Sequence, residues 1–310
     1  MSSVILITGG AGNVASALAK KLAENKDNQI IIIDNLSTGS LSKVPQGNNV
    51  KFIKANVNNY NDIVPVFGRY NFDYVFHYAA VVGVKRTLEN PMMVLEDIEG
   101  IKNILSLSKN SGVKRVFYSS SSEVYGEPFE IPQNEQTTPL NSRLPYAIVK
   151  NVGEAFFRSY YHEYGLEYTI FRFFNTYGPN QSEDFVVPRF LKAALKNEPI
   201  YIYGDGQQTR SFCYVDDNID TCIKAMTNQS CLNDVLNIGS DSEMTILDLA
   251  KIVISTSKSN SEIIHLPPLE EGDMTRRCPD TSKMKLVLGK ELISLEEGLL
   301  KLIQHYETRK

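Results

Sequence analysis

The stretch from Val4 to Asp34 limits the fold more than any other part of the chain. Val4-Ile5-Leu6-Ile7-Thr8 is an unbroken apolar run rich in β-branched residues, the pattern of a strand buried on both faces. Gly9-Gly10-Ala11-Gly12 follows it. Val14 to Glu24 then spaces its apolar residues as a helix does, and Gln29 to Asp34 (QIIIID) reads as a second buried strand. Two such strands joined by a helix pair in parallel through a right-handed crossover.

The alternation continues. Lys51 to Ala55, Asp73 to His77 and Lys114 to Ser119 are further strand candidates, with long helices expected over Pro91 to Lys109 and Tyr146 to Tyr164. The expected fold is α/β: a doubly wound parallel sheet of the Rossmann type, followed by a smaller C-terminal α/β lobe. Beyond about residue 175 Pro and Gly punctuate the chain more often, with helix candidates at Val187 to Lys196, Thr245 to Ser255 and Leu295 to Tyr306. The expected division is therefore 1–174 for the sheet domain, with roughly 206–240 returning to it, and 175–310 mainly for the second lobe.

The glycine turn has a chemical reading. Gly9, Gly12 and Ala15 form a G-x-x-G-x-x-A series between a strand and a helix. Glycine lets backbone approach a pyrophosphate closely, and the helix start offers free N–H groups to it. Alone the series is weak; its strand–turn–helix setting and the carboxylate of Asp34 ending the next strand give it weight. Asp34 suits the hydroxyls of an adenosine ribose and repels a 2′-phosphate, so the expected cofactor is NAD rather than NADP.

Tyr146-Ala147-Ile148-Val149-Lys150 sets a tyrosine and a lysine four residues apart, on one face of a helix. A free phenol, with pKa about 10, is a poor base at neutral pH. A neighbouring ammonium favours the phenolate, which can then take a proton from a hydroxyl. Y-x-x-x-K is common and usually a plain surface pair. Here Ser119 to Ser122 and Glu123 stand at the end of a strand expected in the same sheet, where a serine can donate to the reacting hydroxyl.

These segments, together with FDYVFHYAA, FRFFNTYGPNQ, IYIYGDGQQTRSFCYVDD and RRCPDTSKM, resemble the extended short-chain dehydrogenases/reductases, specifically their NAD-dependent sugar-nucleotide epimerase/dehydratase group. The resemblance spans nearly the whole chain. It implies an enzyme that oxidises C4 of a nucleoside-diphosphate sugar to a 4-keto sugar. It implies Tyr146 as base, Lys150 as its partner and Ser121 as the hydroxyl-binding residue. Cofactor contacts are implied at Gly9, Gly12, Asn13, Val14, Asp34, Asn35, Asn56, Val57, Ala79, Tyr146 and Lys150. Substrate contacts are implied at Ser122, Asn175, Arg210 and Arg277, the arginines as diphosphate ligands. The chain departs from the family pattern at Asn56, at Asp97 where an Asn is usual, and at Ala15.

A 4-keto sugar has several fates. Return of hydride to the opposite face gives 4-epimerisation, the leading expectation, with an epimerase/dehydratase beside it. Glu123, at a position resembling the carboxylate of dehydratases and decarboxylases, keeps 4,6-dehydration and decarboxylation open. Release of the ketone would make a net C4 dehydrogenase. The alternative from another class, a non-catalytic dinucleotide-sensing protein, is disfavoured by intact Ser121, Tyr146 and Lys150. No G-x-S-x-G elbow suggests a serine hydrolase.

Composition narrows the partners. Apolar residues make up 42%, against disorder, and the net charge of −4 suggests neither nucleic acid nor an anionic membrane. The four cysteines include no C-x-x-C pair and only four histidines accompany them, so neither metal nor disulfide is expected. The absence of a signal-like start or a long apolar run gives a soluble cytoplasmic enzyme as the expectation. A homodimer or higher homo-oligomer is implied by the two long helices, which resemble those that pair in family dimers.

Overall fold

The computed structural model describes residues 2–268 and 276–308. In chain order its elements begin β1 (Val4–Thr8), α1 (Asn13–Ala23), β2 (Gln29–Asp34), β3 (Val50–Lys54), α2 (Tyr60–Arg69), β4 (Tyr74–His77), α3 (Val84–Glu89), α4 (Pro91–Leu95), α5 (Asp97–Asn110), β5 (Arg115–Ser121), α6 (Pro145–Tyr164) and β6 (Glu167–Phe173). They continue β7 (Thr176–Tyr177), α7 (Val186–Leu195), β8 (Ile200–Tyr203), β9 (Thr209–Ser211), β10 (Cys213–Tyr214), α8 (Val215–Ala225), β11 (Asp234–Ile238), β12 (Glu243–Thr245), α9 (Ile246–Ser257), β13 (Ile263–Leu266), α10 (Ser282–Leu288) and α11 (Leu295–Glu307).

Seven strands form one sheet in the order β11-β6-β5-β4-β1-β2-β3. The pairings from β6 through to β3 are parallel. The order reverses between β1 and β4, so the carboxyl ends of those two strands flank the topological switch point, where such sheets bind ligands. The doubly wound sheet expected from the sequence is present. Ile5, Leu6, Ile7 and Ile30 to Ile33 are fully buried, as strands covered on both faces must be.

Two compact units divide the chain. The first holds 1–126, 140–173 and 219–236; the second holds 127–139, 174–218 and 237–310. The sheet belongs to the first, and the returning segment is 219–236 where the sequence suggested roughly 206–240. The second unit carries three two-stranded ladders, β7 with β10, β9 with β12 and β8 with β13. Among the described residues no helix is long and apolar enough to cross a membrane.

The helix expected over Pro91 to Lys109 is two helices. Glu96 caps α4 and starts α5, and its N–H bonds Met92 O at 3.2 Å. The step aims the carboxylate of Asp97 inward. The helix expected from Tyr146 begins one residue earlier, with Pro145 in its first turn, where a missing N–H costs nothing.

Candidate active site

The glycine turn is built as its sequence requires. Gly9 has φ +69°, and a Cβ there would stand 2.7 Å from the Ala79 Cα, so both conformation and space select glycine. Its carbonyl accepts the Gly12 N–H at 2.9 Å. Gly12 is the N-cap of α1 and brings no side-chain cap, and the first turn holds no acidic residue. The leading amides, those of Asn13 and Val14 among them, are thus left to an anion.

Asp34 is buried at the end of β2. Its Oδ2 accepts the Ala11 N–H at 3.0 Å and its Oδ1 the Leu36 N–H at 2.7 Å, so the turn and the carboxylate are fixed to each other. A Cβ at Gly39 would lie 2.8 Å from Oδ1, and half-buried Lys43 feels the same carboxylate. Burial lowers the Lys43 pKa and Asp34 raises it. Neither residue was singled out in the sequence, although Thr38-Gly39 directly after IIIDNLS was the available signal. Asn35 is exposed and accepts from Ser37, while Asn56 Oδ1 accepts from the Asn58 N–H. Val57 is buried, with its carbonyl on Asn103. A bare helix start, a close-approach glycine and a fixed carboxylate are the set that a dinucleotide needs, and NAD fits it.

Thr8, also missed, locks the switch point. Its Oγ1 accepts the N–H groups of Tyr78 and Ala79, each at 3.1 Å, and shares a hydrogen bond of 2.9 Å with His77 Nδ1. Burial and, second to it, the charge of Lys150 hold the His77 pKa down to about 3, so this imidazole is neutral.

Tyr146 and Lys150 lie one turn apart on α6. Lys150 is 3% exposed, and its Nζ sits 5.7 Å from the Tyr146 ring centroid and 5.1 Å from that of Tyr118. Nζ donates to the Ser119 carbonyl at 2.6 Å and, more weakly, to Ser119 Oγ at 3.5 Å. Burial lowers the Lys150 pKa to about 8, with Asp97 acting in the opposite sense. Gly153 faces the same place; a Cβ there would stand 2.2 Å from Tyr118 Oη.

Ser121 ends β5 and caps a 3-10 turn over Ser122–Tyr125. Its Oγ accepts the Glu123 N–H at 3.2 Å, which leaves its own proton to donate. Ser122 is buried and Glu123 half-buried in that turn. The turn rests on an ionic network invisible in the sequence. Arg172 Nε and Nη2 donate to Glu154 at 2.8 and 2.7 Å, and Arg172 Nη1 donates to Tyr125 Oη at 2.8 Å. Ser120 Oγ donates to Glu154 Oε1 at 2.7 Å.

The remaining expected residues lie in the second unit. Asn175 is half-buried; its Nδ2 donates to the Ser211 carbonyl at 3.0 Å. Arg210, on β9, is buried and donates to the Thr209 carbonyl at 2.7 Å. Arg277 is buried, whereas its exposed neighbour Arg276 forks onto Glu243 at 3.0 and 2.6 Å.

The chain is similar over nearly its whole length to known proteins. A UDP-N-acetyl-alpha-D-glucosaminuronate decarboxylase of Bacillus cytotoxicus is 34% identical over 322 aligned positions, covering 99% of this chain and 98% of that one. The crystal structure of a UDP-glucose 4-epimerase from Thermotoga maritima with UDP-glucose superposes with a TM-score of 0.92 at 33% identity, covering 99% of both chains. A UDP-glucose 4-epimerase of Thermus thermophilus, solved in complex with NAD, gives 0.90 at 27% identity over 98% of this chain and 99% of that one. The sequence also matches a family description over residues 5–239, from β1 through β11. With the turn, the carboxylate and the Tyr–Lys pair inside that span, the chain belongs to the NAD-dependent epimerase/dehydratase family.

Proposed function

We propose that this enzyme oxidises C4 of a UDP-sugar and returns the hydrogen to the opposite face, a 4-epimerisation. The observation that carries this reading is the Tyr146–Lys150 pair, with Lys150 Nζ anchored 2.6 Å from the Ser119 carbonyl at the end of β5. Gly9, Gly12, Asp34, Asn35, Asn56, Val57 and Ala79 hold the cofactor. NAD⁺ supplies the acceptor for the C4 hydrogen and its electron pair.

Tyr146 takes the proton of the 4-hydroxyl, with the Lys150 ammonium lowering the cost of the phenolate. Ser121 donates to the sugar oxygen and holds it in line. Tyr146 returns the proton when the ketone is reduced. Asn175, Arg210 and Arg277 take the diphosphate, for which a planar guanidinium fork is suited. The choice of UDP rests on the Bacillus cytotoxicus and Thermotoga maritima relatives.

Glu123 favours a second reading, shared with the Bacillus cytotoxicus relative: a uronic acid substrate. With C4 oxidised, the C6 carboxylate is a β-keto acid. The C5–C6 bond breaks, CO₂ leaves, the electron pair passes into the C4 enolate, and Glu123 delivers the proton to C5.

Exposed Tyr161 and Tyr164 on α6 and Met92 on α4, 43%, 52% and 72% accessible, support a homodimer through these helices; light scattering measures it directly.

Incubation of the enzyme with UDP-glucose, UDP-N-acetylglucosamine and UDP-glucuronate in D₂O distinguishes the outcomes by NMR. Inverted C4 without deuterium supports epimerisation. Deuterium at C5 with CO₂ release supports the second reading. No turnover of any of them overturns both.

A further inference from the structure

We infer that Tyr118 is a positioning residue that acts through Lys150: its aromatic ring, and not its hydroxyl, seats the buried ammonium beside Tyr146. The catalytic consequence rests on the function proposed above; the seat itself does not.

Lys150 needs a partner that its hydrogen bonds do not supply. It is 3% exposed, and among the described residues it forms no ion pair and donates only to Ser119, at 2.6 Å to the carbonyl and 3.5 Å to Oγ. A desolvated ammonium is costly unless negative charge faces it. The π cloud of an aromatic ring carries such charge, and the attraction grows where water is excluded. The Tyr118 ring centroid lies 5.1 Å from Nζ, closer than the 5.7 Å of Tyr146. Tyr118 and Ser119 are consecutive, so the end of β5 grips the ammonium by a ring and by a carbonyl. The other titratable groups near Nζ have other commitments. His77 on β4 is neutral. Glu154, one turn further along α6, is bound to Arg172 through both oxygens. Burial lowers the Lys150 pKa to about 8; Asp97 on α5 opposes it through space, but the hydrogen bonds of Asp97 go to Val81 and Asn58.

The fold holds the ring in place and leaves the hydroxyl idle. Phe157 on α6 stacks on Tyr118 with centroids 4.8 Å apart and planes 26° apart, and the His77 ring lies 6.0 Å away at 18°. Tyr118 is 1% exposed, and its Oη has no hydrogen-bond partner among the described residues. Burial keeps that phenol well above its ordinary pKa, so it brings no charge to Lys150. Gly153 makes the room: a Cβ there would stand 2.2 Å from Oη and 2.5 Å from Cζ. Glycine is a poor helix former, and its place inside α6 is explained by the ring that it admits.

Fluorine on the ring isolates its charge. Tyr118→Phe removes the hydroxyl and keeps the ring. A trifluorinated phenylalanine at the same position keeps the shape and withdraws the π charge. The measurement is the pH titration of the Lys150 Cε resonance in ¹³C-lysine-labelled protein without substrate or cofactor, assigned with Lys150→Arg. The native midpoint is expected near 8. In Y118F it stays within about 0.3 units of native. In the fluorinated protein it falls about one unit below Y118F, a tenfold rise in the ratio of neutral amine to ammonium. A fall of less than about 0.3 units on fluorination overturns the inference. A midpoint moved by more than that already in Y118F assigns the effect to the hydroxyl and overturns it as well.

Y118F deletes an unpartnered hydroxyl, and fluorine changes the size of the ring little, so both proteins fold; thermal melts check this. A fluorinated protein that melts earlier with its midpoint in place shows a packing role alone and overturns the inference. Because the titration needs no turnover, an enzyme inactive on every sugar nucleotide sinks the proposed function without touching this result.

Discussion

Arg172→Met tests how much of the serine turn depends on the ionic network beneath it. Arg172 is 1% exposed and Glu154 is fully buried, so water cannot replace the lost partner. The substitution removes two charge-assisted bonds to Glu154 and the bond to Tyr125 Oη. Glu154 keeps Ser120 Oγ at 2.7 Å and half-solvated Arg158 at 3.0 Å. Breaking a buried pair from one side costs about 3–5 kcal/mol, and Arg158 brings the expectation to the low end. Urea unfolding at neutral pH reads the loss, followed by far-UV circular dichroism because the chain has no Trp. The double substitution Arg172→Met with Glu154→Leu removes both charges and recovers most of it, to within about 1 kcal/mol of native. A single variant that loses less than about 1 kcal/mol refutes the reasoning, as does a double variant no better than the single.

Three further expectations use other parts of the molecule. Gly9→Ala forces a side chain into φ +69° and onto the Ala79 backbone, and NAD binding by calorimetry falls at least tenfold; unchanged affinity contradicts the close approach. The Lys150 pKa, near 8 when folded, lies below its unfolded value of about 10.5, so the unfolded chain binds more protons between these values and stability rises with pH across that window. Lys150→Met abolishes this rise in stability curves, and its persistence locates the titration elsewhere. Gln133 is fully buried and, among the described residues, neither side-chain amide atom has a partner, so Gln133→Met raises stability by about 1–2 kcal/mol; a lowered melting temperature shows that the amide is satisfied after all.

What the sequence made legible was local. QIIIID announced a strand ending in a carboxylate, the glycine series announced the turn, and the four-residue Tyr146–Lys150 spacing placed both on one helical face. What it hid depends on distant partners. β6 lies fully paired beside β5, but Arg172 interrupts its apolar run, and only the packed sheet brings Glu154 to that charge. α2 was not singled out because Pro65 sits inside it. The break at Glu96 left no glycine or proline to mark it. Thr8 ends an apolar strand like many others, and its role requires β4 at its side. Asp97 was visible as a departure from a family pattern, but its hydrogen bonds to the Val81 N–H and to Asn58 depend on loops that only the fold brings to it.

The chemistry itself is tested most directly with a UDP-sugar deuterated at C4. Mass spectrometry of the cofactor, quenched within the first turnover before the hydrogen is returned to C4, should find deuterium on the nicotinamide of the native enzyme. With Tyr146→Phe the complex still forms, but transfer slows by about 10²–10⁴. Deuterium appearing at the native rate in that variant means that another group removes the proton, and Tyr146 and Lys150 are then neither the base nor its partner.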